Sequence, residues 1–535
     1  MTATFETVLL MMGVLAAVAV AARRLHTAPS ILVVVAGIGI AFIPGLPPVT
    51  LAPELVLLVI LPPLIYSAGV SMSWREFKFN LRPITLLAFG CVIFTTLAVA
   101  AAVHYWLGFT WATGFVLGAI VAPPDTVAPL AIARRIGLPH RLVVVLEGEG
   151  LANDATALIL YRIAVAAVAS GTFSLPQAGG TFVAIVLGEL GWGIAMGWLS
   201  LHLRKWAHDP RVEITLSLMT PYVTYWAPEH LGGSGVLATV VCGLYVSWNG
   251  PLLISSATRL QGIFFWDLTV YLIEGFVFLL TGLQARTLIQ EAKGFSLPEI
   301  LLATALVTAM IILARFVWVF PATYLPRWLI PRIARDDPAP RWQFPFFLAF
   351  TGIRGVVSLA AALALPYTLA NGAPFPNREL IMFVTFGVII LTLVGQGAVL
   401  PYVAQALGLT RLGDEERAAD ITSEIAGRKA ALAEVQRRLE ALAEQGKLPE
   451  DVVELLRTRH QSRRQILPLD MEDGLEHMRL SAKTKKELID AERRFIHKLL
   501  RDGKITDEAR RRIEYELDLE EASVANRGRD GGGWM

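Results

Sequence analysis

The chain has 535 residues, of which 54% are hydrophobic and only 17% are charged, with a formal net charge of +2. A soluble protein carries about a quarter charged residues, so this composition excludes a soluble enzyme, a secreted disulfide scaffold and a disordered protein. Charged residues are sparse up to about residue 407 and dense from Arg411 to Asp530. We therefore predict a transmembrane domain over 1–407 and a cytoplasmic helical tail over 408–535.

Thirteen segments of the first part are apolar and long enough to cross a bilayer as helices, which takes ~20 residues each. In chain order they are roughly 5–22, 29–45, 51–69, 83–106, 111–133, 142–169, 180–203, 212–227, 231–249, 261–284, 298–325, 343–369 and 379–403. The first segment lacks a cleavage-site pattern and is interpreted as a retained span. The predicted fold is an all-α polytopic membrane protein.

The basic residues of the short loops indicate how the spans are oriented. Sixteen Lys and Arg residues lie in loops that follow odd-numbered spans, and only three follow even-numbered spans. Basic loops stay on the cytoplasmic side. We therefore predict a multi-pass protein of the plasma (inner) membrane, with its N-terminus outside and its C-terminus in the cytoplasm.

The fifth span contains a break beside an acidic residue. Pro123 and Pro124 stand in mid-span and are followed by Asp125 and Thr126. Proline removes a backbone donor and breaks a helix. Irregular backbone at membrane depth is tolerated only against protein or water, and broken helices beside acidic residues form the cation sites of transporters.

The sixth span carries Glu149, Gly150, Asn153 and Asp154. Asp125 and Asp154 lie fourteen and twelve residues into adjacent antiparallel spans, which at ~1.5 Å per residue puts both near the bilayer midplane. Gly150 lies one turn before Asp154 and leaves room beside it, while Glu149 and Asn153 share the neighbouring face. We expect the two acids to form a cation site, because two carboxylates repel unless a cation or a proton lies between them. The alternative is a buried pair that only holds the helices together.

The twelfth span contains Arg354 between Gly352 and Gly355. A guanidinium at this depth requires a carboxylate or several carbonyls. The glycines suggest a second broken helix, and spans four to six with spans eleven to thirteen fit an inverted repeat. We favour an ion pair of Arg354 with Glu149 over the alternative that Arg354 binds an anionic substrate.

Four further charged residues within spans are weaker signals, since such residues more often form structural pairs or face a cavity than act as relays; they are Arg162, Glu189, Glu274 and Arg315. The histidines show no metal-binding spacing, and the sequence has no phosphate-binding loop of the ATP-driven pumps. We predict no cofactor and no enzymatic activity.

The chain resembles the monovalent cation:proton antiporter-1 family, the sodium/proton exchangers. Four motifs in the family's order carry the resemblance over about residues 5–403. They are Leu61-Pro-Pro-Leu-Ile-Tyr66 in span three, Ala122-Pro-Pro-Asp125 in span five, Glu147-Gly-Glu-Gly-Leu-Ala-Asn-Asp154 in span six and Gly352-Ile-Arg-Gly355 in span twelve.

The resemblance implies exchange of Na⁺ or Li⁺, sometimes K⁺, for H⁺ by a homodimer in a lipid bilayer. By motif match, Asp125 and Asp154 bind the transported cation or proton, Asn153 organises the site, and Glu149 pairs with Arg354. Many members have serine at the position of Gly150. The missing hydroxyl leaves a ligand gap, for which water, Thr126 and the Pro124 carbonyl are candidates.

The predicted mechanism is alternating access with competition between cation and proton at one site. Because the residue before Asp154 is a neutral Asn153, the site offers one exchangeable charge there, which favours electroneutral exchange. Two alternatives from other classes are a cation channel gated by its tail and a proton-coupled anion transporter that uses Arg354.

Overall fold

The computed structural model describes residues 2–25, 28–44, 51–291, 296–369, 372–445, 449–465, 471–502 and 504–528. Within these ranges the chain is helical and forms no strand beyond one isolated bridge between Thr368 and Pro374. It divides into two compact units, Met1–Thr410 and Arg411–Met535. The predicted boundary after residue 407 lies three residues before this division.

The described residues of the first unit are mostly helical. They are α1 (Thr2–Leu25), α2 (Pro29–Ala41), α3 (Leu55–Ser71), α4 (Trp74–Phe79), α5 (Leu81–Leu107), α6 (Trp111–Val121), α7 (Val127–Ile136), α8 (His140–Ser170), α9 (Leu175–Ala207), α10 (Pro210–His230), α11 (Val236–Leu253), α12 (Ser256–Glu291), α13 (Leu297–Leu329), α14 (Pro331–Asp336), α15 (Gln343–Phe350), α16 (Val356–Leu363) and α17 (Arg378–Ala406).

Each predicted span overlaps a helix or a pair of helices. Six of the described helices, α5, α8, α9, α12, α13 and α17, are long and apolar enough to cross a membrane by length and composition. Spans five and twelve are each divided in two, as α6 and α7 and as α15 and α16. Both predicted breaks are therefore present, while the count of thirteen crossings and the inverted repeat stay predictions.

Glycines allow several helix pairs to approach at backbone distance. A Cβ added to Gly37 of α2 would lie 2.5 Å from the Leu279 carbonyl oxygen of α12, and one added to Gly193 of α9 would lie 2.4 Å from the Ala238 carbonyl oxygen of α11. The hydrophobic effect does not drive helices together within lipid, so close contacts at small residues contribute to helix packing there. Around them, one large apolar core joins helices from α3 to α17.

Three of the described helices include a π-helical turn, at Leu55–Ile60 in α3, Leu86–Cys91 in α5 and Leu391–Gln396 in α17. A π-turn frees side chains and backbone groups from the regular helical ladder and is frequent near functional sites. The turn in α17 bears directly on the site, because Thr392 and Gln396 bond to the break in span twelve.

Within its described residues, the second unit contains four amphipathic or highly charged helices. They are α18 (Leu409–Glu444), which begins just before the unit boundary, α19 (Glu450–Gln465), α20 (Met471–Arg501) and α21 (Asp507–Gly528). α20 and α21 pack side by side, and Arg493 joins them by salt bridges to Asp518 at 2.6 Å and Glu521 at 2.8 Å. The predicted helical character of this region agrees with the structure.

Candidate functional site

The break in span five separates α6, which ends at Val121, from α7, which begins at Val127. Pro123 and Pro124 lie between them and cannot donate backbone hydrogen bonds, so the helix cannot continue through them. The Asp125 side chain then caps the second half, because its Oδ1 accepts the Val127 amide at 3.0 Å. The break thus presents a carboxylate at the positive end of a short helix.

The break in span twelve separates α15 from α16 and contains Arg354, whose side chain is buried. Its guanidinium donates to the carbonyl oxygens of Val121 at 2.7 Å and Ala122 at 3.1 Å, and also to that of Gly352. Val121 and Ala122 belong to the end of α6, where helical carbonyls have no partner within the helix. Arg354 therefore satisfies the negative end of the other broken span.

The two breaks are also joined by their backbones. The Asp125 amide donates to the Ile353 carbonyl oxygen at 2.7 Å, and the Arg354 amide donates to the Thr392 hydroxyl at 3.0 Å. Gly355, at the start of α16, lies against the Asp125 carboxylate so closely that a Cβ there would be 2.5 Å from its Oδ2. The carboxylate thus lies beside the first residues of two short helices, α7 and α16, whose amide ends favour negative charge.

Helix α8 faces the break in span five through Asn153. Its Nδ2 donates to the Pro124 carbonyl oxygen at 2.6 Å, and the side chain is fully buried. Within the described part of the chain, two buried oxygens have no hydrogen-bond partner here, Asn153 Oδ1 and Asp125 Oδ2. Buried acceptors of this kind are rare in native structures and require a reason, such as a role in binding an ion or water.

The two predicted site acids lie in one neighbourhood. Asp125 and Asp154 are both half-buried, and their carboxylates are close enough to interact electrostatically. Glu274 of α12 is also half-buried and lies within electrostatic reach of Asp125. The chemistry of the site is that of hard oxygen ligands with a surplus of negative charge, which suits a monovalent cation or a proton.

Thr126 occupies the space beside Gly150. A Cβ added to Gly150 would lie 2.0 Å from Thr126 Oγ1 and 2.7 Å from its methyl carbon. The room that Gly150 leaves beside Asp154 is therefore filled by the Thr126 side chain. Of the three candidates for the ligand gap, this geometry favours the Thr126 hydroxyl.

The partner of Glu149 differs from the sequence-based prediction. Glu149 is 0% exposed and pairs with Arg315 of α13, which is 2% exposed; its Oε2 accepts Arg315 Nη2 at 2.7 Å, and Oε1 accepts Nη1. The predicted ion pair with Arg354 is wrong in this respect, because backbone carbonyls satisfy that guanidinium. Gly352 lies beside both arginines: a Cβ added there would be 2.8 Å from Arg354 Nη1 and 3.0 Å from Arg315 Cδ.

Other weak signals take structural roles. Glu189 is buried and accepts the amides of Ser234 at 2.6 Å and Leu237 at 3.0 Å, which caps the beginning of α11. Arg162 pairs with Glu229. The structure thus gives Arg162 an ion pair and Glu189 a helix-capping role.

Sequence reasoning missed two polar residues of α17. Thr392 accepts the Arg354 amide, and Gln396 donates to the Phe350 carbonyl oxygen at the end of α15. The signal was available, since Thr392 and Gln396 stand four residues apart in an otherwise apolar span and therefore share a face. Arg315 was noted, but its partner was not identified.

Comparison with known proteins identifies the family of the chain. The sequence profile of the sodium/hydrogen exchanger transmembrane region matches residues 10–406. An uncharacterised Na⁺/H⁺ exchanger of Mycobacterium tuberculosis is 32% identical over 511 residues, covering 94% of this chain and 93% of that protein. The Na⁺/H⁺ antiporter ApNhaP of Aphanothece halophytica is 32% identical over 416 residues, covering 77% of this chain and 75% of that protein.

Among solved structures, the sodium proton antiporter MjNhaP1 of Methanocaldococcus jannaschii matches 75% of this chain and 98% of its own, with a TM-score of 0.60 and 17% identity. This likeness shows the fold. The family match, and not this likeness, shows the class of protein, which is a multi-pass membrane transporter. The chain belongs to the sodium/hydrogen exchanger family, whose members exchange a monovalent cation for protons.

Proposed function

We propose that this protein exchanges Na⁺ or Li⁺, with K⁺ as a further candidate, for H⁺ at Asp125 and Asp154. The observation that carries the proposal is the pair of buried oxygens, Asp125 Oδ2 and Asn153 Oδ1, that have no hydrogen-bond partner in the described part of the chain. Asp125 lies in the break in span five, and Asn153 donates a hydrogen bond to it. A desolvated Na⁺ needs several such oxygens, which broken helices and carboxylates supply.

Competition between the two substrates follows from the charge of the site. With both carboxylates ionised and no cation present, two like charges face each other in a partly desolvated space. Either a proton or a cation relieves this repulsion, and each reduces the need for the other. The site then crosses the membrane only when it is loaded, and this requirement couples the two fluxes.

The remaining residues keep the site in shape. Asn153 holds the Pro124 carbonyl in place, Thr126 supplies a hydroxyl beside Gly150, and Arg354 joins the two breaks. The Glu149–Arg315 pair adds no net charge near the site. We propose that the protein acts as a homodimer in the plasma membrane. We also propose that exchange is electroneutral, because Asn153 is neutral and the net exchangeable charge comes from one carboxylate.

A Na⁺, K⁺, Li⁺ and Rb⁺/H⁺ antiporter of Bacillus pumilus is 32% identical over 381 residues, covering 69% of this chain and 56% of that protein. Its breadth of substrates supports testing all four cations here. The anion-transporter alternative has no supporting observation, because the Arg354 guanidinium donates to three backbone carbonyls.

The test is proton flux in proteoliposomes that contain a pH-sensitive dye, after pulses of Na⁺, Li⁺, K⁺, Rb⁺ or choline. We expect dequenching with at least one metal cation and none with choline. Asp154→Asn should abolish the response, because an amide keeps the shape but carries no exchangeable charge, and Asp125→Asn should abolish it or raise the apparent cation KM strongly.

Asp267→Asn is the matched control, because it makes the same chemical change on an exposed face of α12. It should transport like the wild type. Cation-driven flux at the wild-type level in folded Asp154→Asn would remove that carboxylate from the mechanism. Single-channel currents without saturable exchange would favour the gated channel instead.

A further inference from the structure

Three arginines from three helices converge on one aspartate, away from the carboxylate site. Arg82 begins α5, Arg141 begins α8, and Arg327 ends α13, and their Nη2 atoms lie 2.5, 2.8 and 2.8 Å from the carboxylate oxygens of Asp337. Arg327 also donates from Nε to the Asp337 carbonyl oxygen at 3.0 Å. We call these three arginines and Asp337 the arginine cluster.

The arginine cluster has a surplus of positive charge. Three guanidinium groups face one carboxylate, which leaves two positive charges uncompensated within the cluster. The other hydrogen bonds of these guanidinium groups, within the described residues, go to the neutral Asn80 side chain and the Thr323 carbonyl. Arginine cannot lose its proton at accessible pH, so this charge is permanent.

A cavity of about 60 Å³ opens beside the arginine cluster. It is several times larger than the ~15 Å³ that one water molecule needs. Within the described part of the chain, its charged lining consists of the three guanidinium groups, and its remaining wall is mostly apolar. That wall includes Leu86, Leu142, Val145, Val319, Phe344 and Leu348.

The arrangement combines the two halves of a phospholipid. The guanidinium fork matches phosphate oxygens in geometry and binds them with charge-assisted hydrogen bonds. The cavity lies at the ends of α5, α8 and α13 that the basic loops predict to be cytoplasmic, where anionic lipids accumulate. The side chains of Arg82 and Arg141 remain 27% and 34% exposed, so an anion can reach them.

We propose that the arginine cluster binds a phosphate group, with Arg82 and Arg141 as its main donors and Arg327 held behind them by Asp337. The phosphate is carried by an anionic lipid headgroup, whose acyl chains lie along the apolar wall, or is free in solution. A bound phosphate bridges α5, α8 and α13. Helix α8 carries Asp154 and helix α13 carries Arg315. The phosphate therefore links the ends of these two helices.

The test measures thermal unfolding of the full chain in a neutral detergent. Short-chain phosphatidylglycerol, short-chain phosphatidylcholine and inorganic phosphate are titrated separately, with chloride at matched ionic strength. We expect phosphatidylglycerol to raise the Tm saturably and phosphatidylcholine to leave it unchanged. A response to phosphatidylglycerol alone assigns the site to a lipid headgroup, and an additional saturable response to inorganic phosphate shows that the free anion is sufficient.

The variants separate this site from general charge effects. Arg82→Gln and Arg141→Gln should each raise the half-saturating lipid concentration about tenfold, because each removes a hydrogen bond between charged groups. Arg335→Gln is the matched control, since Arg335 lies exposed on α14 of the same loop, and should respond like the wild type.

Asp337→Asn distinguishes a ligand site from a structural clamp. Loss of the internal counter-charge should keep or strengthen the response to phosphatidylglycerol, even where the starting Tm falls. The proposal is overturned if neither anion shifts the wild-type Tm, or if both arginine variants keep the wild-type half-saturation. Should either arginine variant fail to fold, the Asp337→Asn response decides alone, and its absence overturns the proposal.

Discussion

The contact between Gly150 and Thr126 determines what a serine at position 150 would do. The resemblance suggests that serine at Gly150 would add a ligand, but its Cβ would lie 2.0 Å from Thr126 Oγ1. We therefore expect Gly150→Ser to displace Thr126 and to raise the apparent KM for the preferred cation. Thr126→Ala should raise that KM about fivefold, the effect of one lost neutral ligand of ~1 kcal/mol.

The double variant gives the sharper result. Gly150→Ser together with Thr126→Ala opens the space and returns one hydroxyl from the other helix, so its KM should lie closer to the wild type than that of either single variant. Flux kinetics over a range of cation concentrations measure this. If all three variants keep the wild-type KM, neither side chain faces the ion.

Gly355 is a second position where one methyl group should matter. In Gly355→Ala the added carbon would meet Asp125 Oδ2 at 2.5 Å, so the carboxylate must move from the start of α16. We expect strongly reduced exchange with little loss of expressed protein. Gly39→Ala is a suitable control, because a Cβ there meets nothing within 4 Å. Equal activity of the two variants would show that the carboxylate position is not critical.

At the scale of helices, the buried pair of Glu149 and Arg315 joins α8 to α13. Removing one member leaves an uncompensated charge at this depth, at a cost of ~3–5 kcal/mol. Glu149→Gln and Arg315→Gln should each lower the Tm in detergent, and the double variant should recover part of the loss. Glu149→Gln combined with Arg354→Gln should show no such recovery. Recovery in that second combination instead would restore the pairing predicted from the motif.

The sequence was sufficient for the helical class, the overlap of every predicted span with a helix, and both helix breaks. These depend on local chemistry: runs of apolar residues, two adjacent prolines, and glycines around Arg354. The partner of Glu149 was not predictable in this way. Two buried arginines, Arg315 and Arg354, compete for it, and the outcome depends on which helix end presents free carbonyls, a property of the packed structure.

The same argument explains the distribution of charges over the four half-helices. Arg354 bonds to carbonyls at the end of α6, and Arg315 Nε bonds to the Leu348 carbonyl oxygen of α15 at 2.9 Å. Asp125 lies at the beginnings of α7 and α16. The two guanidinium groups thus lie at the negative, C-terminal ends of half-helices. The carboxylate lies at their positive, N-terminal ends, as the helix dipole favours.

For the whole molecule, electroneutral exchange has a direct electrical consequence. If one cation exchanges for one proton, the cycle moves no net charge, and an imposed membrane potential should leave its rate unchanged. Initial proton flux should be equal in proteoliposomes clamped at zero and at ~100 mV, where an electrogenic cycle would gain ~2.3 kcal/mol per charge moved. The clamp uses a potassium gradient with valinomycin, so it applies to Na⁺ or Li⁺ exchange. A rate that follows the potential would require a second titrating group, with Glu274 the first to test.

The predicted orientation is tested with introduced cysteines. Both native cysteines, Cys91 and Cys242, are buried, which keeps background labelling low. A membrane-impermeant maleimide should label Thr2→Cys in intact cells, and should label Ser523→Cys only after the membrane is permeabilised. Labelling of both positions in intact cells would mean that the number of crossings is even.

The bonds between the two breaks have a consequence for how this chain can be altered in larger pieces. The Asp125 amide bonds to Ile353, and Arg354 bonds to Val121 and Ala122, so each break supplies the partners of the other. The two segments lie more than 200 residues apart in the sequence, but each must match the other for these bonds to form. A chimera that takes residues 111–136 from a distant relative should fail to transport, whereas one that also takes residues 343–363 from the same donor should regain function.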